Sequence, residues 1–243
     1  MDKILAVITA RSGSKSIPNK NLQKIGEWSL LEWTAACLSK CSVFYRSIIS
    51  TDSKDYSDAV SAYGIEAPFL RPSELANDTS KDVDVFVHLF KWLELNHEVP
   101  KWIAHFRPTT PFREPIFIDK TIKSILVEPD INEWTSFRSV HSMSESAYKF
   151  FELRDNFQLV SIFQQSPNLE VSNNPKELFP KTYVPNGYLD LINTENLRDS
   201  KIHGNRVHAI ITEPTLEIDS PEDLIAANQF DLLNKKFRKA LFT

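Results

Sequence analysis

The sequence predicts an α/β protein built on a parallel sheet with helices on both faces, and three observations carry that prediction. Short apolar runs alternate with segments of helical period through about the first 130 residues. The connections between them are short, as in strand–helix–strand units. The apolar runs are nearly continuous, the pattern of strands buried on both faces. A length of 243 residues suits one large domain, or one with a smaller appendage.

Taken in order, residues 4–8 form a short apolar run of buried-strand type. Residues 29–39 carry Leu30, Leu31, Trp33, Thr34, Cys37 and Leu38 at helical spacing. Residues 47–49 read as a second strand and residues 54–63 as a helix, with Gly64 placed to end it. Residues 67–70 read as a third strand. Thr79 and Asp82 resemble a capping box ahead of a long helix over residues 83–95. A fourth strand follows at residues 102–106 and a helix at 116–127.

Beyond about residue 134 the texture changes. Residues 135–140, 147–153 and 157–162 look like strands without intervening helices, which suggests an antiparallel excursion. Residues 164–184 are polar, contain Pro167, Pro175 and Pro180, and predict an extended loop or arm. Residues 188–192 and 206–211 return to the strand pattern. Ser220, Pro221 and Asp223 mark a helix start, with an N-cap, a proline at N1 and an acid at N3, and the final helix is expected to run to about Lys239.

Composition excludes several classes. An apolar fraction of 42% is too high for a disordered chain. No apolar run approaches the ~18 residues of a membrane span. The 28 basic and 32 acidic residues leave a net charge of −4, which disfavours a general nucleic-acid binder. The two cysteines, Cys37 and Cys41, cannot make a disulfide scaffold and read as small buried residues on one helix face. The six histidines show no metal spacing, and His88 and His105 read as core residues. The opening apolar run is too short for a signal peptide, so a cytoplasmic location is expected and Asn77-Asp78-Thr79 is a chance sequon.

The segment that carries chemistry is Ala10-Arg11-Ser12-Gly13-Ser14-Lys15-Ser16-Ile17-Pro18-Asn19-Lys20-Asn21, directly after the first strand. Open α/β sheets bind ligands at the carboxyl ends of their strands. Small residues let backbone N–H groups approach anionic oxygens, and three cations neutralise them. A polyphosphate is the ligand that fits. The spacing is neither a Walker A loop nor Gly-x-Gly-x-x-Gly.

This loop resembles the N-terminal signature of the CMP-sialic acid synthetases, Ala-Arg-x-x-Ser-Lys-Gly-x-x-x-Lys-Asn, at Ala10, Arg11, Ser14, Lys15, Lys20 and Asn21, and departs from it at Ser16. Further stretches resemble the family in the same order: Ser50-Thr51-Asp52, Leu70-Arg71-Pro72 with Glu74-Leu75-Ala76 and Asp78-Thr79-Ser80, Arg107-Pro108-Thr109-Thr110-Pro111-Phe112-Arg113, Pro185-Asn186-Gly187 and Glu217-Ile218-Asp219. The resemblance implies a Rossmann-like (GT-A-like) nucleotidyltransferase, a three-layer α/β sandwich with a mainly parallel sheet. It implies one domain over residues 1–243, with a small inserted dimerisation region at about residues 138–184, and hence a homodimer. The activity it implies is transfer of CMP from CTP to a nine-carbon α-keto sugar acid such as N-acetylneuraminate, legionaminate or pseudaminate, with release of pyrophosphate. No nucleic acid or membrane partner is implied.

Site roles follow from the same resemblance. Arg11, Lys15 and Lys20 would clamp the triphosphate, together with Ala10, Ser12, Gly13, Ser14 and Asn21. Asp219, with Glu217, would hold Mg²⁺, although an acid before a helix start is also favoured by the dipole. Arg71, Ser80 and Asp52 would lie near the nucleotide; Ser80 is equally a helix N-cap candidate and Asp52 a turn residue. Arg107, Thr109, Thr110, Lys176 and Asn186 would face the sugar. Arg107 stands where the family has glutamine, and a guanidinium there would either grip a carboxylate or pair with a nearby acid. Lys176 is the nearest cation where the family has an arginine. These departures keep two alternatives open, a catalytically silent nucleotide-binding protein and an enzyme for another sugar acid such as Kdo.

Overall fold

A computed structural model describes residues 2–163, 165 and 168–243. The expected Pro167 of the arm lies outside the described residues. In chain order the elements are β1 (Ile4–Thr9), β2 (Lys24–Ile25), β3 (Trp28–Ser29), α1 (Leu30–Ser39), β4 (Arg46–Ser50), α2 (Lys54–Ser61), α3 (Asp82–Leu95), β5 (Trp102–Phe106), α4 (Pro115–Leu126), β6 (Ser136–Ser142), β7 (Phe151–Leu153), β8 (Leu159–Ser161), β9 (Tyr183–Asn193), α5 (Glu195–Arg198), β10 (Val207–Ile211), α6 (Pro221–Leu233) and α7 (Lys236–Phe242).

Six strands make the central sheet in the order β10-β6-β9-β5-β1-β4. Only β9 runs against its neighbours; β1 is parallel to β4 and β5, and β10 to β6. Side chains alternate along β1, and that alternation builds two cores. Ile4, Ala6 and Ile8 face α1 and α4, packing with Trp33, Cys37, Ile118 and Ile122. Leu5 and Val7 face α3, packing with Phe86, Leu89 and Leu93. The three-layer α/β sandwich expected from the sequence is the observed architecture.

Several local expectations give way to tertiary structure. Residues 67–70 form no strand: a single bridge joins Ile48 to Glu66, and the prolines at 68 and 72 have no N–H to extend the ladder. The Thr79 capping box does not form. Thr79 donates to Asn77 Oδ1 and Ser80 Oγ to the Glu74 carbonyl, and α3 starts beyond them with Lys81 at the cap and no side-chain bond. Cys41 falls just past α1, so it does not share a helix face with the buried Cys37, and both are free thiols. The capping box at Ser220 and Asp223 is present as read, but the final helix breaks at Asn234, where φ −123° and ψ 84° leave the helical region. The short α7 then folds back so that Phe242 stacks on Trp28, with centroids 3.9 Å apart.

The expected excursion is smaller than predicted. Residues 136–142 belong to the central sheet as β6, and the inserted segment between β6 and β9 covers residues 143–182. Within it, β7 and β8 pair as a two-stranded hairpin turned by Asn156 and Phe157, both at positive φ. Tyr148, Phe150, Phe151, Leu153 and Phe157 are exposed there rather than packed in a core. No helix among the described residues is long and apolar enough to cross a membrane.

Candidate active site

The parallel strands β1, β4 and β5 end at one edge of the sheet, and the segments that follow them wall an open cleft of about 420 Å³. Ala10, Arg11, Ser14, Lys15, Lys20 and Asn21 line it from the loop after β1. Arg71 lines it from beyond β4, Arg107 and Thr109 from beyond β5, and Asp82 from the start of α3. The loop is shaped by its own polar contacts. The Ser12 N–H and hydroxyl donate to the Asp52 carboxylate at 2.8 and 2.5 Å, so Asp52 serves the loop's shape. Asn21 is buried and donates to the Arg11 carbonyl at 3.2 Å. Gly13 adopts φ +67°, a conformation that other residues rarely take.

The cations are paired. Arg11 and Lys15 both reach Asp78, at 2.8 and 2.6 Å, on opposite oxygens of one carboxylate. Lys20 lies 2.8 Å from Asp219. Arg71 is buried against the end of β4, donating to the Ser50 hydroxyl and carbonyl, and burial lowers its pKa to about 10. Arg107 donates to Asp190 at 3.2 Å and to Asp82 at 3.1 Å. Burial works against its charge, but these two carboxylates outweigh it and raise the guanidinium pKa above the ordinary arginine value. Of the two readings of Arg107, pairing with nearby acids is therefore present in the free protein.

Glu217 and Asp219 stand two residues apart ahead of α6. Burial, then the neighbouring Asp219 charge, raises the Glu217 carboxyl above the usual range. Two carboxylates close enough to oppose each other's ionisation are a donor set that fits a hard divalent cation. Among the described residues no group of three or more potential metal ligands occurs, so remaining ligands would have to come from substrate and water.

Other expected residues lie away from the cleft. Thr110 is buried and donates to the Asn186 carbonyl, while Asn186 is buried and donates to Thr212 at 2.6 Å. Ser80 is spent on the turn before α3. Lys176 lines a second cavity in the inserted segment with Phe179 and Lys181. His105 is buried on β5 with Nε2 2.7 Å from Thr9 Oγ1, and burial pushes its pKa well down, as a neutral core histidine requires.

Four residues had no role in the site assigned from sequence: Asp78, Asp82, Asp190 and Arg113. Asp190 had a readable signal, since an acid inside the apolar run Leu189-Asp190-Leu191 must find a partner. Arg113 is fully buried and donates to the carbonyls of Tyr188, Arg107 and Gly187 at 2.7, 2.8 and 2.9 Å, tying the segment after β5 to β9.

The chain is similar to known proteins over nearly its whole length. The chain is 28% identical over 251 residues to a CMP-N,N'-diacetyllegionaminic acid synthase of Legionella pneumophila, covering 96% of this chain and 98% of that protein. It is 27% identical over 224 residues to an N-acylneuraminate cytidylyltransferase of Escherichia coli, covering 91% of this chain and about half of that longer protein. Among solved structures, a CMP:2-keto-3-deoxy-manno-octonic acid synthetase complexed with CTP superposes with a TM-score of 0.65 at 16% identity, covering 95% of this chain and 99% of that one, a likeness of fold. A family model described as cytidylyltransferase matches residues 5–237, from the first strand to the start of the last helix, and so takes in every wall of the cleft. The chain belongs to the cytidylyltransferase family of nucleotidyltransferase enzymes.

Proposed function

We propose that this protein transfers CMP from CTP to the anomeric hydroxyl of a nine-carbon α-keto sugar acid, a nonulosonate, and releases pyrophosphate. The observation that carries the reading is the loop after β1, which gathers Arg11, Lys15 and Lys20 at the carboxyl ends of three parallel strands. Attack on the α-phosphorus in line with the departing pyrophosphate needs little covalent chemistry from the protein. It needs charge neutralisation and positioning. Arg11, Lys15 and Lys20 supply the first, and Asn21 with the Ser12–Asp52 contacts supplies the second by fixing the loop. Asp219 and Glu217 would hold Mg²⁺, which when bound adds positive charge beside the phosphate oxygens. CTP is a cytoplasmic substrate, and the reading puts the enzyme there.

Arg107 and Asp82 form the polar wall beside Thr109 and are the groups offered to the sugar acid. Arg107→Gln is expected to raise the KM for the sugar acid about tenfold while leaving the KM for CTP near the wild-type value. Unchanged sugar KM and unchanged sugar selectivity would remove Arg107 from recognition. The exposed aromatics of the β7–β8 hairpin favour a homodimer joined through the inserted segment. The arm of one protomer would then carry Lys176 to the cleft of the other.

The test is pyrophosphate release from CTP and Mg²⁺ with N-acetylneuraminic, legionaminic, pseudaminic and Kdo acids. Turnover is expected with one of the three nine-carbon acids. Turnover with Kdo alone, or CTP binding without turnover on any acid, overturns the reading.

A further inference from the structure

Arg11 and Lys15 are not idle in the free protein. Arg11 Nη2 meets Asp78 Oδ1 at 2.8 Å and Lys15 Nζ meets Asp78 Oδ2 at 2.6 Å, so each oxygen of one carboxylate takes one cation, as two oxygens of a phosphate group would. Asp78 comes from a different part of the chain, the turn before α3, and that turn is built to hold it. Asn77 Oδ1 accepts from the Thr79 N–H and hydroxyl at 3.0 and 2.7 Å, Asn77 Nδ2 donates to the Glu74 carbonyl at 2.8 Å, and Ser80 Oγ donates to the same carbonyl at 3.1 Å. Asp78 itself has no side-chain hydrogen bond to its own turn among the described residues, and its carboxylate is directed across to the loop.

We propose that Asp78 is a displaceable stand-in for phosphate: it holds Arg11 and Lys15 across the cleft in the free enzyme, yields them to the triphosphate of CTP, and takes them back as pyrophosphate leaves. This rests on the cytidylyltransferase reading above. Ion pairs this exposed are weak, so a polyanion that offers several charges to the same two cations displaces the carboxylate. The carboxylate nevertheless stays tethered beside the cations and competes with departing pyrophosphate at high effective concentration. Contact with Lys15 and Arg11 holds its carboxyl below the usual range, which keeps it ionised for that competition.

The test is the affinity of the full chain for pyrophosphate, measured by calorimetry in metal-free buffer for wild type, Asp78→Asn and Asp84→Asn. Asp84 is an exposed acid on the first turn of α3 and controls for general charge. Asp78→Asn is expected to bind pyrophosphate roughly three- to tenfold more tightly, and Asp84→Asn to match wild type. Equal or weaker binding by Asp78→Asn overturns the proposal, and weaker binding would make Asp78 a group that positions the cations for phosphate. Tightening of the same size in both variants also overturns it. Wild type that binds neither CTP nor pyrophosphate removes the nucleotide reading itself, a result distinct from a wild type that binds both and an Asp78→Asn variant that does not differ.

Discussion

Lys20→Ala is expected to lower kcat/KM for CTP by about 10²–10³-fold, far more than Lys15→Ala, for which a loss below about tenfold is expected. Burial decides the difference. The Lys20 side chain is 15% exposed and lies between the loop and Asp219, whereas the Lys15 side chain is 82% exposed. A charge shielded from water acts on a developing negative charge through a lower effective dielectric, while an exposed one is screened. Steady-state kinetics of both variants, with circular dichroism to verify folding, make the comparison. A larger loss for Lys15→Ala than for Lys20→Ala would contradict the assignment of Lys20 as the central cation of the site.

Arg113→Met is expected to destabilise the protein by about 3 kcal/mol or more, read as a shift in the denaturant midpoint. The buried guanidinium donates to three backbone carbonyls, and the variant removes that charged donor from all of them, leaving the Arg107 carbonyl with the Thr110 N–H at 3.2 Å. Burial lowers the Arg113 pKa to about 10, so the group remains charged at neutral pH and its bonds are charge-assisted. The carbonyls belong to the segment after β5 and to β9, so the variant should also loosen the wall that carries Arg107. A midpoint shift equivalent to less than about 1 kcal/mol would show that the carbonyls find other partners.

The periodic features were legible because their causes are local. The apolar run of β1, the spacing of α1 and the Ser220–Asp223 cap are each written within a dozen residues, and each stands where it was read. The loop after β1 was legible for a related reason, since its cations and small residues are contiguous and their place follows from the strand before them. Residues 67–70 misled because an apolar composition outweighed two prolines that cannot donate to a ladder. The end of α6 misled because the pattern continues across Asn234 while the backbone turns. The pairing partners were illegible for a different reason. Arg107 and Asp190 are separated by 83 positions, and Lys20 and Asp219 by 199, and no local pattern announces a contact across such distances. Mutual selection among distant charges is a property of the folded topology.

The position of β9 bears on how the chain is made. β9 alone joins β5 to β6, and so joins the half of the sheet that carries the cleft to the half formed by β6 and β10. Synthesis delivers β1, β4, β5 and β6 first, then the whole inserted segment, and only then the strand that fits between β5 and β6. Until residue 193 has left the ribosome, both of those strands present hydrogen-bond-hungry edges where β9 will lie. Assembly must wait on a long-range insertion, which makes folding slow and the nascent chain vulnerable to edge-to-edge association. A chain stopped at residue 182 should accordingly aggregate, and co-expression with a chaperone that shields nascent strands should raise the yield of the 243-residue chain.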